Sequence, residues 1–153
     1  LVIEFARGSE HGGFQTAYQY LSDHILGRAV TLYIHCSWEE SLRKNRRRFN
    51  PDKPDSVLEH ALEDKKLEML YKDSDWESFA AADPDALLVK GHRIPYAVFQ
   101  NDPEITDQPN MLAAHLEEVL RHLWDLRACF EIGKKDREAN PDAPSPTSGK
   151  KLG

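Results

Sequence analysis

The chain has 153 residues, enough for one domain with its own hydrophobic core. At 40% hydrophobic and 30% charged residues it has a globular composition, and no run approaches the roughly 18–20 apolar residues that a membrane-spanning helix needs. A net charge of −6 argues against a molecule drawn as a whole to nucleic acid or anionic lipid, and Cys36 and Cys129 show neither metal-site spacing nor a disulfide framework. No membrane or nucleic-acid partner is expected, and the expected setting is the cytoplasm.

Leu1–Phe5 is a short apolar run carrying one acid, Glu4, and predicts a buried strand. The opening is too short for a secretory leader and lacks Met, which predicts a processed or truncated chain. The following loop, 6–13, contains Gly8, Gly12 and Gly13 and can turn tightly. Phe14, Ala17, Tyr18, Leu21 and Ile25 then share one helical face, with Gly27 at the position of a C-cap glycine.

Ala29–Ile34 is apolar, β-branched and uncharged, and predicts a second buried strand. Ser37 and Glu40 form a capping box that opens a helix to about Arg48. Pro51 and Pro54 break the chain, and Ser56 with Glu59 opens another helix to about Tyr71. Trp76 and Phe79 pin a short helix, Ala86–Val89 predicts a short strand, and Ile94–Gln100 a longer one. Pro109 suits the first turn of a last helix, whose apolar face is Leu112, Leu116, Val119, Leu123 and Leu126. From about Lys134 the pattern ends, and residues 134–153, of which 140–153 are rich in Pro, Ser, Gly and Lys, predict a disordered polar tail.

Strands that alternate with helices predict an α/β domain over residues 1–133: a three-layer parallel sheet with helices on both faces. In such sheets ligands sit at the carboxyl ends of the strands. The rule singles out the segments after Phe5, after Ile34 and after Gln100.

Three groups of residues there carry candidate chemistry. Glu4, an acid ending a buried strand, suits a magnesium-bound water or a substrate hydroxyl, and Arg7 suits a phosphate; the alternative is a Glu4–Arg7 surface salt bridge. Arg43, Lys44, Arg46, Arg47 and Arg48 occupy five of six positions, and Arg43 and Arg47 share a helix face. Such a cluster neutralises a transferring phosphoryl group, or it is a solvated helix end that complements the helix dipole. Asn101, in Asn101-Asp102-Pro103, suits contact with a base or sugar, or it belongs to an Asx turn ending the strand. The seven histidines lie scattered without HExxH spacing, so a metal centre built on them is not expected.

A strand ending in Glu, an Arg-containing loop, a helix, then a strand followed by Ser37-x-Glu39-Glu40 and the arginines up to Arg48 resembles the P-loop nucleoside and nucleotide kinase superfamily. The resemblance implies ATP-dependent phosphoryl transfer to a small-molecule acceptor (a nucleoside, a nucleotide or a similar compound), with ATP and Mg2+ as cofactors. It implies that Glu4 is the base or the ligand of a magnesium-bound water, and that Arg7 orients the acceptor. Arg43, Arg47 and Arg48 become phosphate contacts in a lid over residues 43–71, and Asn101 lies near the adenine pocket. The sequence departs from the family in lacking a G-x-x-x-x-G-K-[ST] motif: before Gly149-Lys150-Lys151, Pro144 stands where the first glycine belongs. The expected domain is therefore N-terminally incomplete, its phosphate loop lying upstream and this fragment alone inactive. A non-catalytic nucleotide- or partner-binding module is the alternative, and a homodimer is left open.

Overall fold

The centre of the sheet is β3, His92–Gln100, where buried Ile94, Ala97 and Phe99 come from both sides of the strand. In the computed structural model, residues 1–4, 6, 8–48, 50–52 and 61–139 are described, except for the side chains of 134–139. β3 is flanked by β1, Thr31–His35, and β2, Ala86–Val89, in the order β1-β3-β2.

β1 runs parallel to β3 with Thr31 level with Tyr96, whereas β2 is antiparallel with Leu87 level with Ile94. The fold is thus mixed α/β, and the expectation of an all-parallel sheet is corrected. The cause is local. β2 and β3 are joined by only Lys90 and Gly91, both at positive φ (48° and 79°). A two-residue turn of that hand makes a hairpin, and a parallel connection needs a crossover of a dozen or more residues.

Helices do lie on both faces. On one face sit α1, Gly13–Gln19, α2, Asp23–Leu26, and α5, Trp76–Ala80. Phe14, Tyr18, Trp76 and Phe79 from these helices meet Tyr33 of β1 and Tyr96 of β3. Tyr33 stacks on Trp76 at 3.9 Å, while Phe14 and Tyr96 meet Trp76 edge-on at 5.7 and 5.5 Å. Burial pushes the Tyr18, Tyr33 and Tyr96 phenols above their ordinary pKa.

On the other face lies α6, Pro109–Ala139, with Val119 and Leu123 packed on Ala97 and Phe99. Pro109 is its first residue, where a missing N–H costs nothing. α6 continues to Ala139, so residues 134–139, expected as the start of a disordered tail, are helical. Near the start of β3, Arg93 lies 4.5 Å above the Phe130 ring and ties the later turns of α6 to the sheet.

Three expected elements take other forms, and one is the helix expected from Ser56 to about Tyr71: residues 61–63 are coil, and the helix begins only at Asp64. Leu1–Glu4 is coil rather than a buried strand, with Leu1 105%, Val2 92% and Ile3 46% exposed. A three-residue apolar run without a sheet partner cannot satisfy its own backbone, so its hydrophobicity alone does not make a strand. The single helix expected over 14–25 is two, broken after Gln19, and Ser22 begins the second. Gly27 ends α2 in the right-handed region (φ −66°), without the left-handed cap its position suggested.

α1 also begins without a cap of its own. The Asp75 carboxylate accepts the N–H of Phe14 at 2.6 Å and of Gln15 at 3.0 Å. A Cβ on Gly13, at φ 70°, would stand 2.3 Å from that carboxylate, so the close approach requires glycine. α4, Asp64–Tyr71, packs against the turn at Ser9–His11. There the Ser9 N–H donates to the Asp73 carbonyl at 2.8 Å.

Candidate functional site

Because β1 and β3 are parallel, their carboxyl ends emerge together, and the chain after each strand is tied to the other. The Asn101 N–H donates to the His35 carbonyl at 2.9 Å. The Ser37 N–H donates to Asp102 Oδ2 at 3.2 Å. Asp102, joined to Pro103 by a cis peptide, therefore serves the segment after β1 rather than a turn of its own strand.

α3, Trp38–Arg48, starts at this junction. Ser37 Oγ accepts the Glu40 N–H at 3.2 Å, which is one half of the expected capping box. The other half is absent, because Asp102 occupies the Ser37 N–H and the Glu40 carboxylate turns elsewhere. Glu40 accepts from Arg43 Nε at 2.7 Å and from its NH2 at 2.5 Å, and from the Glu104 N–H at 3.2 Å. The Arg43 fork holds the Glu40 carboxyl at about 2, against a desolvation that acts the other way. The same pairing raises Arg43 above its ordinary pKa.

Glu104 gathers the cations of α3. Its side chain is only 9% exposed and meets Arg47 at 3.0 Å, Arg43 at 3.2 Å and Lys44 at 3.8 Å. A carboxylate this enclosed is costly unless paired, and three cations supply the pairing. Arg47 also lies 3.8 Å from Asp107. The Arg43 and Arg47 side chains keep half their surface in solvent (50% and 52%).

Arg48 is exposed, and Arg46 reaches Asp64 at 3.2 Å. Just before Arg46 in sequence, buried Asn45 faces inward. Its Nδ2 donates to the Leu62 carbonyl at 2.7 Å and its Oδ1 accepts the Leu62 N–H at 2.8 Å. This amide copies a backbone pair and fixes the far side of the segment expected as a lid, of which residues 53–60, including the Ser56–Glu59 capping box, lie outside the described residues.

Asn101 is the other buried polar side chain at the junction, 7% exposed, and its Oδ1 has no hydrogen-bond partner among the described residues. An orphaned acceptor of this kind is uncommon in a folded interior, and an amide oxygen suits an N–H or O–H donor.

Glu4 is placed elsewhere. It is exposed and lines a cleft of about 810 Å³ with Ile3, His11, Thr16, Tyr20 and Leu70. None of Arg43, Arg47, Arg48 and Asn101 lines that cleft. Arg7 lies outside the described residues. The structure therefore joins Arg43, Arg47 and Asn101 around one junction and does not bring Glu4 to it. Among the described residues no group of three or more His, Cys, Asp and Glu side chains converges on one point, and no helix is long and apolar enough to cross a membrane.

Sequence reasoning missed Glu104 and the service of Asp102 to Ser37. The run Glu104-Ile105-Thr106-Asp107 reads as an ordinary polar loop, and only the parallel pairing of β1 with β3 brings it against α3. No family model, no curated protein and no solved structure matches this chain. Fold and site together define a mixed α/β protein with a charged junction at the carboxyl ends of its parallel strand pair.

Proposed function

We propose that the chain takes part in ATP-dependent phosphoryl transfer to a small-molecule acceptor, a nucleoside, nucleotide or similar compound, and that the nucleotide base lies at the carboxyl ends of β1 and β3. The observation that carries this reading is the buried, unpartnered Oδ1 of Asn101. An amide oxygen there accepts from an exocyclic amino group, such as adenine offers. The half-exposed forks of Arg43 and Arg47 suit phosphate oxygens in shape and charge, and phosphate competes with Glu104 for them. ATP supplies the phosphoryl group, and Mg2+ enters on its phosphates, since that ion keeps most of its water and needs only one or two carboxylates. In this reading Arg48 joins the phosphate contacts and Arg7 acts on the acceptor, while Glu4 acts on it only after leaving its cleft for the junction.

A second reading draws on the same residues. Arg43, Lys44 and Arg47 are already balanced by Glu104, and Glu4 lines a different cleft. Both features favour a module that binds nucleotide without transfer.

Calorimetry with ATP, ADP and GTP in the presence of Mg2+, followed by transfer assays on a nucleoside panel, separates the two. Adenine nucleotides should bind, and Asn101→Ala should weaken them roughly tenfold, the worth of one buried hydrogen bond, while leaving the fold intact. Binding with transfer supports the kinase, and binding without it supports the module. Equal affinity of wild type and Asn101→Ala overturns the placement of the base.

A further inference from the structure

α6 carries a second stripe, beside the one that faces the sheet. Ala113, Glu117, Leu120 and Trp124 follow one another at helical spacing, and with Leu116 and Arg121 they line a shallow surface groove. Leu120 is 45% exposed and Trp124 76%. Large apolar side chains in a contiguous exposed row mark a surface that binds another protein.

We propose that this stripe pairs antiparallel with the same stripe of a second copy of the chain. The argument rests on self-complementarity of size and charge, which a two-fold interface requires because one patch must fit itself. A two-fold axis level with Val119 sets every residue opposite the one equally far on the other side of 119. Glu117 then lies level with Arg121 of the second copy, and Arg121 with its Glu117. Trp124, the largest residue of the stripe, lies level with Ala114 of the second copy, and Ala113 is one residue of rise away, about 1.5 Å. The indole thus falls where the facing helix is narrowest, and Leu120 fills the middle, with Leu116 at the border shared with the sheet-facing stripe. Glu117 and Arg121 stand on the same flank of the helix, four residues apart, and bridge each other at 2.6 Å. Antiparallel helices bring like flanks together, so the two acid–base pairs exchange partners across the axis; a parallel pairing would not align them. The exchange is easy because both side chains are about 70% exposed (71% and 70%).

The test is sedimentation equilibrium of the full chain over a range of concentrations, with circular dichroism to verify folding. A reversible dimer is expected. Trp124→Ala removes an indole from each copy and should weaken association by roughly thirtyfold or more, the lower figure being the effect of losing a single aromatic anchor. Glu117→Lys and Arg121→Glu should each weaken self-association, because each sets like charges opposite one another. An equimolar mixture of these two variants should regain a heterodimer of wild-type strength, since every cross-pair is then an acid with a base. A chain that stays monomeric throughout overturns the proposal. So does a dimer indifferent to Trp124→Ala, or a mixture of charge variants no stronger than either alone.

Discussion

On one face of the sheet, six aromatic rings from four elements meet around Trp76; on the other, aliphatic side chains of one helix lie along β1 and β3. The helices on the aromatic face are short, seven residues in α1, four in α2 and five in α5, whereas α6 has 31. Isolated helices of four to seven residues do not hold their shape in water, because the first turn costs more order than its hydrogen bond returns. They stand here because rings from distant parts of the chain brace them and because Asp75, on another element, caps α1. α6 has enough turns to form largely from its own periodicity, and the sheet only selects which stripe is buried. Order on one face is thus a collective, long-range property, and on the other mostly a local one.

The sharpest way to break this comparison is to remove one ring. Trp76→Ala should cost about 3–5 kcal/mol in urea unfolding, and it should loosen α1 and α5 together. Leu123→Ala on the opposite face should cost less, about 2–3 kcal/mol, and hydrogen exchange should quicken in α6 alone. Equal costs with the same exchange pattern would mean that both faces are held in one way.

A smaller effect sharpens the contrast at a single contact. Asp75→Ala should destabilise by about 1 kcal/mol, with faster exchange at the Phe14 and Gln15 amides, because its carboxylate accepts both of these first-turn N–H groups. No single residue of α6 should show a comparable remote dependence.

The smallest effect belongs to the junction. The Glu40 carboxyl titrates at about 2 in the folded chain against an ordinary 4.5. A depressed folded pKa contributes stability above the unfolded value, and that contribution is lost as pH falls from 4.5 through about 2. Glu40→Gln should therefore flatten the stability profile across that window and change little at neutral pH. Added salt should shrink the difference, because Arg43 is half exposed. A steep acid transition that persists in the variant would assign it to other carboxylates.

Legibility followed the same division. The long helix, the proline at its start and its buried stripe are periodic signals and were readable as such, and so were α3 and the strands near 31–35, 86–89 and 92–100. The end of the helix was not, because polar residues after 133 continue it to Ala139 without an apolar stripe. Leu1–Phe5 reads as a strand from hydrophobicity, but a strand exists only with a neighbour, and among the described residues Leu1–Glu4 pairs with none. The turn Lys90–Gly91 was the one local signal for the antiparallel β2, and its glycine was there to be read.

At the junction, the sequence marked Arg43, Arg47 and Asn101 by type and position, but it could not say what they face. Glu104, some sixty residues from Arg43, holds the same cations that the sequence offers to phosphate. Charge pairing at that separation depends on strand order, which short-range patterns do not encode. By itself the sequence determined a charged α/β chain, the period and place of its main elements, and the cationic helix after β1, because propensity, periodicity and turn chemistry act over a few residues. Only the tertiary structure decided the mixed direction of the sheet as a whole, the meeting of the aromatic rings, the placing of Glu4 away from the arginines and the burial of Asn101 with an unanswered oxygen, because each depends on contacts between residues far apart in the chain.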